Sequence, residues 1–494
     1  MKAHVVALLL FVLPGPCLAQ ANLFRLEPGD PRAGAVNRQP IEIAAQAEYP
    51  VEVDIRAVAE RPKSIRVALP EGRHLVFEQH TFDPSVGFIA DEQLDAVPDP
   101  NVPTDELVFR WYGLAKKNNA QLHLQVTKGI ISATVIVPNK IYSIVGTERR
   151  SSRAAGGGEK RHILRESDPT RFPPDLPDNV GADDRKALPS DVPRQKYVDR
   201  ISILVLHTPL VEAAIQNGDP NVNPLPTINA RVDEVIGHLS QSFGNALVVP
   251  VGVFNVHESD TNRSEQINYP EVNGQVCPPT VPAPLCQFFG HRVFLRNDAF
   301  AQARRNATNA DVVVMLVNDA AACGVAYTQR DNCGVDATFG SNEPGCTVGA
   351  GYNAFAYAVV NFGCSAAMQD FAHEAGHTFG MEHNPENIGA APPPPSFPWS
   401  FGRFVFNQQE TIMSIRGKFG TCGTCTKALQ FSNPDVGFLN FPATASGTAT
   451  QYNARTAAAF APAMSEFRGP TLADVLFRSG MEHLPCTAAG ADCH

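Results

Sequence analysis

His373-Glu374-Ala375-Gly376-His377-Thr378-Phe379-Gly380-Met381-Glu382-His383 is the stretch on which the reading of this chain turns. Its pattern is H-E-x-x-H-x-x-G-x-x-H. Residues four apart on an α-helix share a face, so His373 and His377 can present their imidazoles to one ion. A catalytic zinc takes three protein ligands and keeps one position open for water. Gly380 supplies the route to the third ligand. Glycine accepts left-handed backbone angles and commonly ends a helix, so the chain can turn there and bring His383 back. Glu374 follows His373 directly and stays near the metal without entering the ligand set. A carboxylate there can take a proton from the attacking water and return it. An H-E-x-x-H alone arises by chance on many helices. The eleven-residue form fixes five positions at once and is far more specific.

The run resembles the metzincin family of zinc endopeptidases. That resemblance implies a tight turn carrying a methionine beneath the zinc. Thr411-Ile412-Met413-Ser414 fits it, with Met413 standing 30 residues after His383. Ile415 occupies the place where the astacin and serralysin branches have tyrosine, which argues against those branches. Phe431-Ser432-Asn433-Pro434-Asp435-Val436 is similar to a segment of bacterial reprolysin-like enzymes, including the peptidyl-Asp metalloendopeptidases. One departure is Asn384, where reprolysins usually have aspartate after the third histidine. The resemblance covers roughly residues 197 to 469. It implies one catalytic zinc on His373, His377 and His383, Glu374 as general base and then acid, and Met413 as a structural support. Arg416, just after the Met-turn, would favour acidic substrate residues next to the cut. The implied substrates are proteins or peptides, and a monomer is expected. Calcium is left open, since nothing in the residues reads on it. The alternative is a non-catalytic secreted binder on the same scaffold, which could lose Glu374 freely.

The first residues, Met1-Lys2-Ala3-His4 and then Val5 to Leu13, give a short basic start and an apolar run closed by Pro14-Gly15-Pro16. This reads as a secretory signal peptide over 1–19, too short to span a bilayer. Export suits the cysteines. Of 11, Cys17 falls in the leader and the other ten all follow residue 276, an even set expected to pair as disulfides. Cys422-Gly423-Thr424-Cys425 belongs to that set rather than to a redox or metal site. Formal net charge is −10, which leaves no basic footprint for nucleic acid or an anionic membrane.

Residues 20–148 read as a β-rich domain. Ile65, Val67 and Leu69 alternate with polar residues before a turn at Pro70-Glu71-Gly72. Leu122, Leu124 and Val126 do the same before Lys128-Gly129, and Ile131, Ala133, Val135 and Val137 resume. This unit is similar to the pro-region of secreted metalloproteases, and a carbohydrate- or partner-binding domain is the other reading. It contains no cysteine after the leader, so latency would need another group or steric cover. Residues 149–196, with Arg149-Arg150, Gly156-Gly157-Gly158 and many prolines, read as a linker and processing region. From 197 to 470, strand patterns at 201–206, 249–256 and 311–317 alternate with helical spacing at 228–247 and 300–310, which predicts an α/β domain, and 453–467 reads as a last helix. The order resembles the upper half of a metzincin catalytic domain, which implies a mixed twisted sheet with further strands at 323–327 and 355–360 and an active-site helix starting near Ser365. Residues 471–494 form a tail with no assigned chemistry.

Overall fold

A computed structural model describes residues 21–26, 44–80, 99, 101–115, 120–138, 140–149, 159–172, 199–246, 251–257, 260–271, 283–329, 349–387, 395–405, 409–415, 426–439 and 441–468. The expected leader, the tail, Arg416, Cys422 and Cys425 lie outside the described residues.

The alternating N-terminal segments build one large sheet. Its strands are β1 (Ala21–Asn22), β2 (Phe24–Leu26), β3 (Ala45–Val53), β4 (Ser64–Ala68), β5 (His74–Gln79), β6 (Val108–Leu114), β7 (Gln121–Thr127), β8 (Ile130–Val137), β9 (Lys140–Arg149) and β10 (Glu159–Ser167). They run in the order β1-β4-β5-β6-β7-β8-β9-β10-β3-β2. Only Leu23 separates the two end strands, so the sheet curls back on itself and hides its edges. A short helix, α1 (Ile55–Ala59), follows β3 and is capped by the Asp54 carboxylate. Val67, Phe77, Phe109, Leu122, Val126 and Val135 fill the interior. The turn between β7 and β8 places Lys128 and Gly129 at positive φ, the hairpin geometry that Lys-Gly foretells.

One expectation is corrected here. Glu159–Ser167, inside the stretch read as linker, is a full strand paired with β9 on one side and β3 on the other. Its charged residues hid it. Arg165 pairs with Glu48 at 2.7 Å, Glu166 pairs with Lys140, and Leu164 is fully buried between them.

The second half is mixed α/β. Its elements are β11 (Asp199–His207), α2 (Pro209–Gln216), β12 (Val222–Asn223), α3 (Pro224–Asn245), β13 (Val251–Asn255), β14 (Glu265–Gln266), α4 (Ala283–Asn297), α5 (Ala299–Ala307), β15 (Val312–Val317), β16 (Gly324–Ala326), β17 (Tyr357–Asn361), α6 (Asp370–Thr378) and α7 (Asn453–Met464). The sheet runs β13-β11-β15-β17-β16. The apolar run of β15 lies at its centre, as uniform burial of Val312–Val317 requires. Strand β16 is antiparallel to β17 and forms one end of the sheet. Helix α6 begins later than expected. Gln369 sits at φ +62, and the regular helix starts only at Asp370. A disulfide joins Cys323, at the head of β16, to Cys364, between β17 and α6.

The two halves meet at β12, which pairs with β9 of the N-terminal sheet, at a small apolar cluster of Ile141 and Phe172 with Cys323, Cys364, Ala367 and Met368, and along α3. Ile228, Val232, Val235, Leu239 and Phe243 face the α/β core. The opposite face is polar, and it is buried under the polar face of β7 and β8. Thr127 donates to Asp233 at 2.7 Å, and Ser132 and Thr134 both donate to Glu234. The polar half of the strand alternation therefore faces a helix rather than water.

Candidate active site

Helix α6 is buried along its whole length and carries His373, Glu374 and His377. It stops by a double hydrogen bond. Gly380 N–H donates to His377 O at 2.8 Å and Met381 N–H to Gly376 O at 3.1 Å, with Gly380 at φ +75. This is the pairing of a left-handed helix stop. A side chain at Gly380 would also meet Phe460 and the Gln329 carbonyl. The turn sends Met381 and His383 back across the helix.

The three histidines converge. Their Nε2 atoms lie 2.9 Å (His373–His383), 3.2 Å (His373–His377) and 3.0 Å (His377–His383) apart. Each His373 and His377 ring is held from behind: Nδ1–H of His373 donates to Ile412 O at 2.8 Å, and Nδ1–H of His377 to Met381 O at 2.9 Å. Those bonds fix the tautomer that leaves the Nε2 lone pair free for a cation. Burial, then the neighbouring His377, Lys427 and His383, holds His373 well below the ordinary histidine pKa, in the neutral form a metal requires. A point about 2 Å from all three nitrogens, the usual zinc–nitrogen distance, exists just outside their plane. The triad is a set of groups able to hold one metal ion.

Glu374 is 2% exposed and lies against Gly324 on β16. A methyl group on Gly324 would overlap its carboxylate, so the glycine makes the room that the carboxylate occupies. Around it, Cys323 O accepts from Asn361 N–H and Tyr327 N–H donates to Tyr357 O. By the alternation of an antiparallel ladder, the backbone groups of Gly324 and Ala326 then point away from β17, toward the side on which no described strand pairs with β16. There Arg292 donates to Ala326 O at 2.6 Å.

Met413 is fully buried beneath the triad. Its Sδ would lie 2.5 Å from a Cβ on Gly376, and Gly402 gives way to its backbone from the other side. Asn384 ties the segment after His383 to this turn by accepting from Ile415 N–H at 3.0 Å, while its amide donates to Glu386 at 3.1 Å. Reading the sequence alone missed Gly324, Gly376 and Arg292. Each acts through a distant partner, and only the pairing of a small residue with a bulky one marks it.

Residues 200–416 match the model of metallo-peptidase family M12. That match supports a metallopeptidase. No curated protein matches the chain. Among solved structures, a chain described as "Structure of a chaperone-substrate complex" aligns at TM-score 0.35 and 16% identity, over 55% of this chain and 36% of that one.

Proposed function

We propose that this protein is a secreted zinc-dependent endopeptidase, made with an N-terminal region that is removed for activity. The observation that carries the reading is the convergence of three imidazole nitrogens within 3.2 Å, with Glu374 alongside and the terminal strand of the described sheet next to it. His373, His377 and His383 would hold zinc. When bound, the ion supplies Lewis acidity to the scissile carbonyl and to water. The chain supplies the rest. The outward backbone groups of Gly324 and the Ala326 N–H can pair with an extended peptide as an added strand, beside the Ala326 carbonyl that Arg292 already holds. Glu374 accepts the proton of the attacking water as its oxygen bonds to the carbonyl carbon. It then delivers that proton to the amine as the carbon–nitrogen bond breaks. The carbonyls of Ile412 and Met381 keep two ligand rings oriented throughout.

Export is supported by the leader pattern and by the Cys323–Cys364 disulfide. The polar contact between β7–β8 and α3 suits a removable cover, because the uncovered helix face would be water-compatible. Since β10 is woven into the N-terminal sheet, the activating cut belongs between Phe172 and Asp199 rather than at Arg149-Arg150. Preference for acidic residues beside the cut rests on Arg416.

The test is a peptide-library digest by the zinc-loaded protein beside Glu374→Gln. Cleavage by the parent alone, with one zinc on each protein, is the expected result. Cut sites distributed without regard to acidic residues would remove the specificity proposal. No cleavage by either, with zinc bound and the N-terminal region removed, would overturn the enzyme reading in favour of a binding scaffold.

A further inference from the structure

Two imidazoles face each other across the contact between the halves. His123 of β7 and His238 of α3 have ring centroids 4.5 Å apart at 71°, edge to face. They are 4% and 2% exposed. His123 Nε2 and both nitrogens of His238 are buried without a hydrogen bond. Buried polar atoms are almost always bonded, and two phenylalanines would pack in the same edge-to-face geometry without that cost. Packing therefore does not explain the choice of histidine. What histidine adds is a charge acquired between neutral and mildly acidic pH.

We propose that the N-terminal sheet is an acid-released cover on α3, opened when His123 and His238 take up protons. This adds a regulatory step to the peptidase reading, and it rests on that reading only for its consequence. The opening itself is observable without any catalysis.

Charged and titratable neighbours set the direction. On α3, Glu234 Oε1 stands 3.8 Å from His238 Nε2 and favours the imidazolium, while Arg231 opposes it. From the sheet, β6 sets Tyr112 against His123 with ring centroids 4.5 Å apart, with His80 edge-on behind it, and brings Arg110 up to Gly237. Arg165 of β10 adds positive charge near Arg231. Burial outweighs the carboxylate. It holds His238 at about 4 and His123 well below the usual value, the latter also opposed by His238. Asp233, clamped by Arg263 at 3.0 Å and by Thr127, with Lys128 near, is the counterweight. Burial raises its pKa, so it takes up a proton more readily in the closed form than in the open one and opposes acid release. His80, half-buried beside Asn245 of α3, is likewise held below the usual histidine value, so three histidines stand against one carboxyl and acid favours release. The sign follows from linkage: the open state binds protons below the ordinary histidine pKa of about 6.5, the closed state does so only near 4 for His238, and the closed form weakens as pH falls through that window.

Hydrogen exchange on the full-length protein, corrected for intrinsic rates, tests this. Peptides from β7 and α3 are followed from pH 7 to 5.5, with β15 as the internal reference. In the parent, the opening constant of β7 and α3 should rise roughly tenfold to a hundredfold, approaching two protons per opening event, while β15 stays protected. The variant His123→Phe/His238→Phe should lose most of the slope, His80 keeping the remainder, and His238→Phe alone should lose a smaller share on a logarithmic scale. Should the double variant fail to fold, the parent's slope and the single variant decide. A flat parent, an equal loss at β15, or a double variant with the parental slope would each overturn the proposal.

Discussion

At Gly324 the cleft depends on a missing methyl group. The backbone there is pinned by pairing with β17, so an added Cβ can be accommodated only by moving Glu374. A carboxylate displaced by about 1 Å from a reacting water costs on the order of 100-fold in rate. Gly324→Ala should therefore lower kcat by about that factor and leave zinc content at one per chain, measured by metal analysis beside peptide turnover. Parental turnover in the variant would show that Glu374 does not act from this position. Asn384 makes a different kind of demand. Its side-chain oxygen accepts from Ile415 N–H while its amide donates to Glu386. Aspartate could do the first and not the second, which gives a physical reason for asparagine beside Glu386. Asn384→Ala removes the partner of a half-buried N–H and should cost about 1 kcal/mol in thermal or denaturant unfolding. Asn384→Asp should fall below the parent at pH 7 and recover as the pH drops toward 4 and one carboxylate is protonated.

Among the elements, α6 and its stop were legible in the sequence because every signal is local. Histidines four apart share a helix face, and Gly380 foretells the left-handed turn that the structure contains at φ +75. Strands β11, β15 and β17 were legible as apolar runs, and β7 and β8 as alternating ones. Strand β10 was not, because its evidence is non-local. Lys160, Arg161, Arg165 and Glu166 look like solvated linker until Glu48 and Lys140 are placed beside them. Composition cannot supply that pairing. The same strand carries a pH prediction. His162 Nε2 accepts a hydrogen bond from Ile131 N–H at 3.2 Å, so the ring must stay unprotonated there. Burial, with Lys160 nearby, lowers its pKa to about 4. A depressed folded-state value means stability is complete above the unfolded value of about 6.5 and is lost as pH falls from there toward 4, by up to about 3 kcal/mol. His162→Gln should flatten the fall in Tm of the N-terminal sheet between pH 6.5 and 4.5. An unchanged slope would place the proton elsewhere.

For the molecule as a whole, two main hydrophobic cores lie on either side of α3, whose apolar face belongs to the second alone. The N-terminal core is enclosed by its curled sheet, and the α/β core surrounds β15 and reaches α6 and Met413. A metal on the triad would bind only when α6, the turn at Gly380 and the Ile412 carbonyl are all in place, so its binding free energy adds to the stability of the second core and not directly to the first. At free zinc about 100 times Kd the gain is about 2.7 kcal/mol. For a unit of this size that corresponds to roughly 5–10 °C in Tm. Chelation should therefore lower the melting of the α/β half, followed by exchange at β15 and α6, and leave the sheet of β4 to β8 within about 2 °C. The reason for separation is chemical: apart from the small cluster of Ile141 and Phe172 on Cys323 and Cys364 and the short β12–β9 pairing, the contact is polar, through Thr127, Ser132, Thr134 and α3, and couples the halves more weakly than a continuous apolar core would. A single transition in which both halves shift together on chelation would show that α3 transmits the metal's stabilisation in full, and the N-terminal sheet would then be an integral part of the peptidase rather than a cover upon it.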